Sequence, residues 1–161
     1  MDGHVNNLQI VQWNAHSLVA NISDFLNILI TSKPDIVAVQ ETWLKSDTKI
    51  TSVSSYDFIR KERTNKNCGG LLLAIRKDLI YHEKTITEFP NGILEVQVIT
   101  VKENMNNIDI MNIYNPNPNK LNKREFLHYK KQLGNIYYSR GYKFPSWTMG
   151  AKKKYTTKRL W

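Results

Sequence analysis

The sequence predicts an α/β fold built around a mixed sheet, and two observations carry that expectation. Apolar runs at Leu8–Trp13 and Ile36–Val39 flank one amphipathic stretch of helix length. The order strand, helix, strand makes the two runs parallel neighbours through a right-handed crossover. Further on, Ile93–Val101 and Ile108–Tyr114 enclose the turn cluster Asn104–Asn107, the signature of an antiparallel hairpin. Parallel neighbours end at the same edge of a sheet. Asn14 and Glu41, each following its run, should therefore meet at one rim, where open α/β sheets bind ligands. A carboxylate beside an amide suits a hard divalent cation and a phosphate oxygen.

The elements follow in order. Leu8–Trp13 is a buried strand. Ile22, Phe25, Leu26, Leu29 and Ile30 keep helical spacing, with Asn21 placed as N-cap. Lys33-Pro34 stops that helix, because proline disfavours helical geometry in the residue before it. Ile36–Val39 is the second strand, Lys45–Ser55 a polar loop and Tyr56–Arg60 a short strand. Gly69-Gly70 permits a tight turn before the strand Leu71–Arg76, and Tyr81–Thr87 is a further strand. In Ile93–Val101, Leu94, Val96 and Val98 alternate with Glu95 and Gln97. Asn115-Pro116-Asn117-Pro118 ends the strand before it. Asn122 and Glu125 are spaced as the capping box of a last helix whose inner face is Phe126, Tyr129 and Leu133. His82 and His128 read as structural.

The 161 residues suit one domain, and a hydrophobic content of 41% supplies a core. A single cysteine, Cys68, makes no internal disulfide and no cysteine-type zinc site, which fits a reducing, intracellular compartment. No apolar run has membrane-spanning length, and Met1–Gln9 lacks the apolar core of a signal peptide. The net charge of +9 is unevenly spread. Residues 1–119 carry 11 Lys and Arg against 13 Asp and Glu; residues 120–161 carry 12 against one. The basic end, with Lys152, Lys153, Lys154, Lys158 and Arg159, can bind phosphate nonspecifically or be a solvated terminus. From about Tyr137 the hydrophobic pattern decays, so residues 1–136 form the folded domain and 137–161 an aberrant basic tail.

Gln12-Trp13-Asn14-Ala15-His16-Ser17-Leu18, Lys33-Pro34-Asp35-Ile36-Val37-Ala38-Val39-Gln40-Glu41-Thr42-Trp43, Arg60-Lys61-Glu62-Arg63 with Gly69-Gly70, and Asn112-Ile113-Tyr114-Asn115-Pro116 occur in this order. Together they resemble the endonuclease/exonuclease/phosphatase superfamily, and most the apurinic-endonuclease-like endonuclease domain of non-LTR (LINE-like) retrotransposons. The resemblance runs from about Leu8 to Gly134. It implies a four-layer sandwich of two mixed β-sheets flanked by helices, here incomplete at the C-terminus. It implies metal-dependent phosphodiester hydrolysis with Mg²⁺ or Mn²⁺. DNA is the implied partner, with no membrane and no protein partner, as a monomer in the nucleus where the domain functions. Glu41 matches the metal-ligating glutamate, Asn14 the asparagine supporting metal and phosphate, and Tyr114 the tyrosine near the scissile phosphate. His16 lies beside the expected rim, within reach of a phosphate.

The same family uses a Gly-Asp-x-Asn string and a C-terminal Ser-Asp-His, and neither occurs here. Permitted codons for Tyr137–Met149, read one nucleotide later, can spell Ile-Ile-Ala-Gly-Asp-Ile-Asn-Phe-His-His-Gly-Gln-Trp. A frameshift between about Gly134 and Tyr137 would account for the first gap. The expectation is a truncated, catalytically impaired endonuclease domain. Its rivals are a noncatalytic nucleic-acid-binding remnant and a superfamily phosphatase acting on another phosphate ester.

Overall fold

A computed structural model describes residues 8–63, 68–103, 105–117 and 123–134, and the backbone of 136–140 and 157–160. β1 (Ile10–Asn14) leads through α1 (Ile22–Asn27), continued by a π-helical turn (Ile28–Ser32), to β2 (Ile36–Gln40). β3 (Tyr56–Lys61), β4 (Leu71–Arg76), β5 (Tyr81–Glu83), β6 (Glu95–Glu103) and β7 (Asn106–Tyr114) follow. After them come α2 (Lys123–Lys131), β8 (Ile136–Arg140) and β9 (Thr157–Leu160). One sheet has the order β3-β4-β2-β1-β9 and the other β5-β6-β7-β8. β1 and β2 are parallel, in register from Ile10↔Ile36 to Asn14↔Gln40. β6 and β7 form the expected hairpin, with Glu95 opposite Tyr114.

Strand alternation sorts the side chains into layers. Val11, Trp13, Val37, Val39, Leu72 and Ala74 face α1 with Phe25 and Leu29. Leu94, Val96, Val98, Met111 and Ile113 face Phe126 and Tyr129 of α2. Between the sheets lie Ile10, Ile36, Ala38, Leu73, Ile75, Ile99, Val101, Ile108 and Ile110. The result is helix, sheet, sheet, helix, the four-layer arrangement expected. Toward the C-terminal ends of β1 and β2 the inter-sheet layer turns polar. Gln12 Nε2 donates to Gln40 Oε1 at 2.6 Å, and Gln40 Nε2 donates to Asn112 Oδ1 at 2.6 Å. Asn112 Nδ2 donates to the Val39 and Leu72 carbonyls at 3.1 and 3.2 Å. Gln40 and Asn112 are fully buried, so these bonds join the sheets where an unpaired amide would be costly.

Several local expectations change. The π-helical turn holds more residues per turn than an α-helix, so Ile30 leaves the buried stripe and is 58% exposed. That turn ends at Lys33, which is left-handed at φ 44°. Asn21 sits at the N-cap position, yet its amide donates to the Ala15 carbonyl at 2.8 Å instead of capping. β5 stops at Glu83 instead of reaching Thr87. Glu95 and Gln97 point inward, not to solvent, because both faces of this sheet are covered; Gln97 donates to the Ile59 carbonyl at 3.0 Å. Asn122 lies outside the described residues. Glu125 is buried and accepts the Leu94 N–H at 2.7 Å, pinning α2 to β6. Beyond Tyr137, where sequence pattern fades, the backbone still forms strands: β8 runs parallel to β7 and β9 parallel to β1. Among the described residues no helix is long and apolar enough to cross a membrane.

Candidate active site

The segments leaving β1 and β2 are tied together as they emerge. Ala15, Ser17 and Leu18 donate N–H bonds to the carbonyls of Gln40, Glu41 and Thr42 at 2.9, 3.0 and 3.0 Å. Thr42 and Trp43 in turn donate to Gly70 and Gly69 at 3.3 and 2.9 Å. This lacing holds His16, Ser17, Glu41 and Trp43 at φ 44°, 86°, 52° and 53°, a region that side chains other than glycine seldom occupy. Such strain persists only where surrounding bonds enforce it, and it concentrates at functional sites. Gly69 and Gly70 have φ 94° and 85°, and a Cβ on Gly70 would lie 2.6 Å from Thr42 Oγ1.

Glu41 stands at the centre of this rim. Asn14 Nδ2 donates to its Oε1 at 2.8 Å. His16 Nδ1 lies 3.1 Å from its Oε2. Tyr114 stands nearby on the other sheet; burial first, and then the Glu41 carboxylate, push its phenol well above the ordinary range. Tyr114 therefore stays protonated. The Asn14 carbonyl oxygen accepts the His16 N–H at 3.2 Å, which fixes the amide with its nitrogen toward Glu41. The Glu41 side chain is 12% exposed and that of His16 77%. Among the described residues no lysine or arginine pairs with Glu41; its ion-pair partner is His16.

The sequence-predicted residues Asn14, Glu41, Tyr114 and His16 thus converge at one point. Lys158 and Arg159 fall in β9, in register with Val11 and Gln12. Lys152, Lys153 and Lys154 lie outside the described residues. Sequence reasoning missed Glu95. Its Oε2 accepts the Gly70 N–H at 2.6 Å and its Oε1 meets Arg63 Nη1 at 3.2 Å. Burial raises its carboxyl, against the pull of that N–H and of Arg63. Glu95 thereby braces the glycine turn that holds Thr42 and Trp43. Its place opposite Tyr114 in the hairpin was the available signal. His128 is structural, with a ring nitrogen 2.7 Å from the Thr87 carbonyl and its ring on Phe89.

Among the described residues there is no gathering of three or more His, Cys, Asp and Glu side chains fit to hold a metal. One carboxylate is nevertheless enough for Mg²⁺, which keeps most of its waters and takes the rest of its shell from phosphate. The donor set fits that demand. Among the described residues no lysine or arginine balances Glu41, and the hydroxyl of Thr42, next to it in sequence, is buried with no hydrogen-bond partner.

Solved structures match this chain over most of its length. The endonuclease domain of TRAS1, a telomere-specific non-LTR retrotransposon, matches with a TM-score of 0.55 at 13% identity, over 81% of this chain and 57% of that one. The AP endonuclease LMAP from Leishmania major gives 0.52 at 19% identity, over 65% and 39%. TDP2 from D. rerio, complexed with a single-strand DNA product, gives 0.51 at 20% identity, over 70% and 48%. The chain spans between 39% and 57% of the length of these three proteins. No protein-family model and no curated protein matches it. Two mixed sheets packed face to face between helices, with Asn14, Glu41 and Tyr114 on one rim, give this chain the AP endonuclease-like α/β sandwich fold over part of that fold's length.

Proposed function

We propose that this chain is a nuclease-type phosphodiesterase domain, descended from the DNA endonuclease of a non-LTR retrotransposon and impaired in nicking. One observation carries the reading: a nearly buried carboxylate, without a lysine or arginine against it among the described residues, is steadied by an amide and an imidazole, with a phenol nearby, at the rim of this sandwich. Glu41 would hold Mg²⁺ or Mn²⁺, with Asn14 orienting the carboxylate. The ion, when bound, supplies Lewis-acid polarisation of a phosphoryl oxygen. Tyr114, kept protonated, donates a hydrogen bond to charge developing on the phosphate. The substrate is DNA, met by a monomer in the nucleus.

What the sequence does not provide is the Asp and Asn that orient the attacking water in the family it resembles. Removing one such preorganised group commonly costs on the order of 10²–10³ in rate. β8 supports the frameshift account. It runs parallel to β7, with Arg140 opposite Ile113. In the shifted frame an Asp would take position 141, directly after β8, and an Asn position 143.

A supercoiled-plasmid nicking assay with Mg²⁺ tests the reading. Slow nicking that disappears in Glu41→Ala is expected, with a gain when Gly141→Asp and Lys143→Asn are combined. Robust nicking by the unaltered chain would overturn the impairment. Nicking indifferent to Glu41→Ala would overturn the site. The coding DNA between Gly134 and Met149 decides the frameshift, since codons incompatible with the shifted string would end it.

A further inference from the structure

We infer that His16 and Glu41 form a paired nitrogen and oxygen donor set that makes this rim select a first-row transition ion, such as Co²⁺, over Mg²⁺. The inference rests on the proposed role of Glu41 as cation ligand and adds the identity of the cation. His16 Nδ1 and Glu41 Oε2 are 3.1 Å apart. An octahedral ion with bonds of about 2.1 Å holds adjacent donors roughly 3.0 Å apart. The pair already has that spacing. With the ring proton on Nδ1 the contact is an ordinary hydrogen bond. With the proton on Nε2, both atoms present lone pairs at the same gap, and a cation lying to one side of the line that joins them satisfies both.

The imidazole is held in place although its edge is in solvent. Its backbone is left-handed at φ 44° and its N–H is bound to Asn14 Oδ1 at 3.2 Å. The Trp43 ring packs against it with centroids 4.8 Å apart. A ligand positioned this way loses little freedom on binding. Carboxylate and water suit Mg²⁺; adding imidazole shifts preference toward the later divalent ions of the first transition row. The two-donor set leaves the remaining positions for water and a phosphate oxygen.

Calorimetric titration with Co²⁺ and Mg²⁺ alone tests this on the full chain, its His16→Ala variant and its Glu41→Gln variant. Paramagnetic shifts of imidazole resonances by NMR report the ligand directly. The expected result is Co²⁺ binding about tenfold or more tighter than Mg²⁺. His16→Ala should remove that advantage and the shifted imidazole signal, and weaken Co²⁺ binding more than Mg²⁺ binding. His16 is largely exposed, so the variant should fold, which circular dichroism checks. Equal affinity for the two ions, or Co²⁺ binding unchanged in His16→Ala, overturns the inference and leaves Glu41 as a Mg²⁺ ligand intact. Binding of both ions unchanged in Glu41→Gln overturns the proposed site as well, so the two failures are distinguishable.

Discussion

The two ends of β2 treat a carboxylate in opposite ways. Before the strand, Asp35 meets Arg76 at 2.7 Å and accepts the Gln9 N–H at 2.6 Å. On β7, five residues before Tyr114, Asp109 meets Lys84 at 2.7 Å, Thr100 at 2.7 Å and the Gly134 N–H at 2.8 Å. After β2, Glu41 is as sheltered as Asp35, at 12% side-chain exposure each, but among the described residues it has an amide, a phenol and an exposed imidazole near it and no lysine or arginine paired with it. The first two carboxylates are neutralised in place and serve the fold. The third has no lysine or arginine against it among the described residues and a strained backbone under it, which sets it apart from the two structural ion pairs. The inter-sheet layer follows the same division: isoleucines at one end, and Gln12, Gln40 and Asn112 toward the rim.

The largest effect in this contrast should come from Asn112→Leu. It leaves one Gln40 amide hydrogen without its acceptor in the buried layer, at about 1–3 kcal/mol, and removes the bonds to the Val39 and Leu72 carbonyls, at about 0.5–1.5 kcal/mol each. A fall of roughly 3 kcal/mol or more in urea unfolding is expected. A loss under about 1 kcal/mol would show that the polar layer is not a structural joint. Next comes Gly70→Ala, which combines φ 85° with a 2.6 Å approach to Thr42 Oγ1. About 1–3 kcal/mol of strain should appear as a lower Tm and a weaker Co²⁺ titration; an unchanged Tm would show that the glycine turn gives way freely.

Asp109 supplies a pH test. Burial alone would raise its carboxyl, but Lys84, Thr100 and the Gly134 N–H outweigh burial and hold it below the ordinary value. A depressed carboxylate contributes stability that is present above its unfolded pKa and lost as pH falls through the folded one. Unfolding midpoints should therefore drop on acidification, and Asp109→Asn should flatten that part of the profile while costing about 1–2 kcal/mol at neutral pH. An identical acid slope in the variant would assign the effect elsewhere. The smallest change belongs to Glu41→Gln. With no lysine or arginine among the described residues to orphan, neutralising it should move stability by about 0.5 kcal/mol or less, or raise it. The same substitution should abolish the rise in Tm that a bound cation gives the unaltered chain. A loss as large as that of Asp109→Asn would erase the distinction between the two kinds of carboxylate.

Much of this architecture was legible because period and order are local properties. The run from Leu8 to Val39 gave a parallel pair and hence one shared rim for Asn14 and Glu41. The turn at Asn104–Asn107 gave the hairpin that brings up Tyr114. Alternation did not say where Glu95 and Gln97 point, since a sheet covered on both faces has no solvent side for polar residues to mark. The fading pattern after Tyr137 likewise hid β8 and β9, because a strand added to an existing sheet edge is held by backbone bonds that any sequence can make.

By itself the sequence determined which segments extend, which coil and which polar residues end each strand, because these depend on neighbours a few positions apart. Only the tertiary packing decided which carboxylate would be left, among the described residues, without a lysine or arginine partner. That choice depends on side chains up to about seventy positions apart being brought within a few ångströms, as in the Gln40–Asn112 bond. The charge left open on Glu41 is therefore a property of the assembled sandwich.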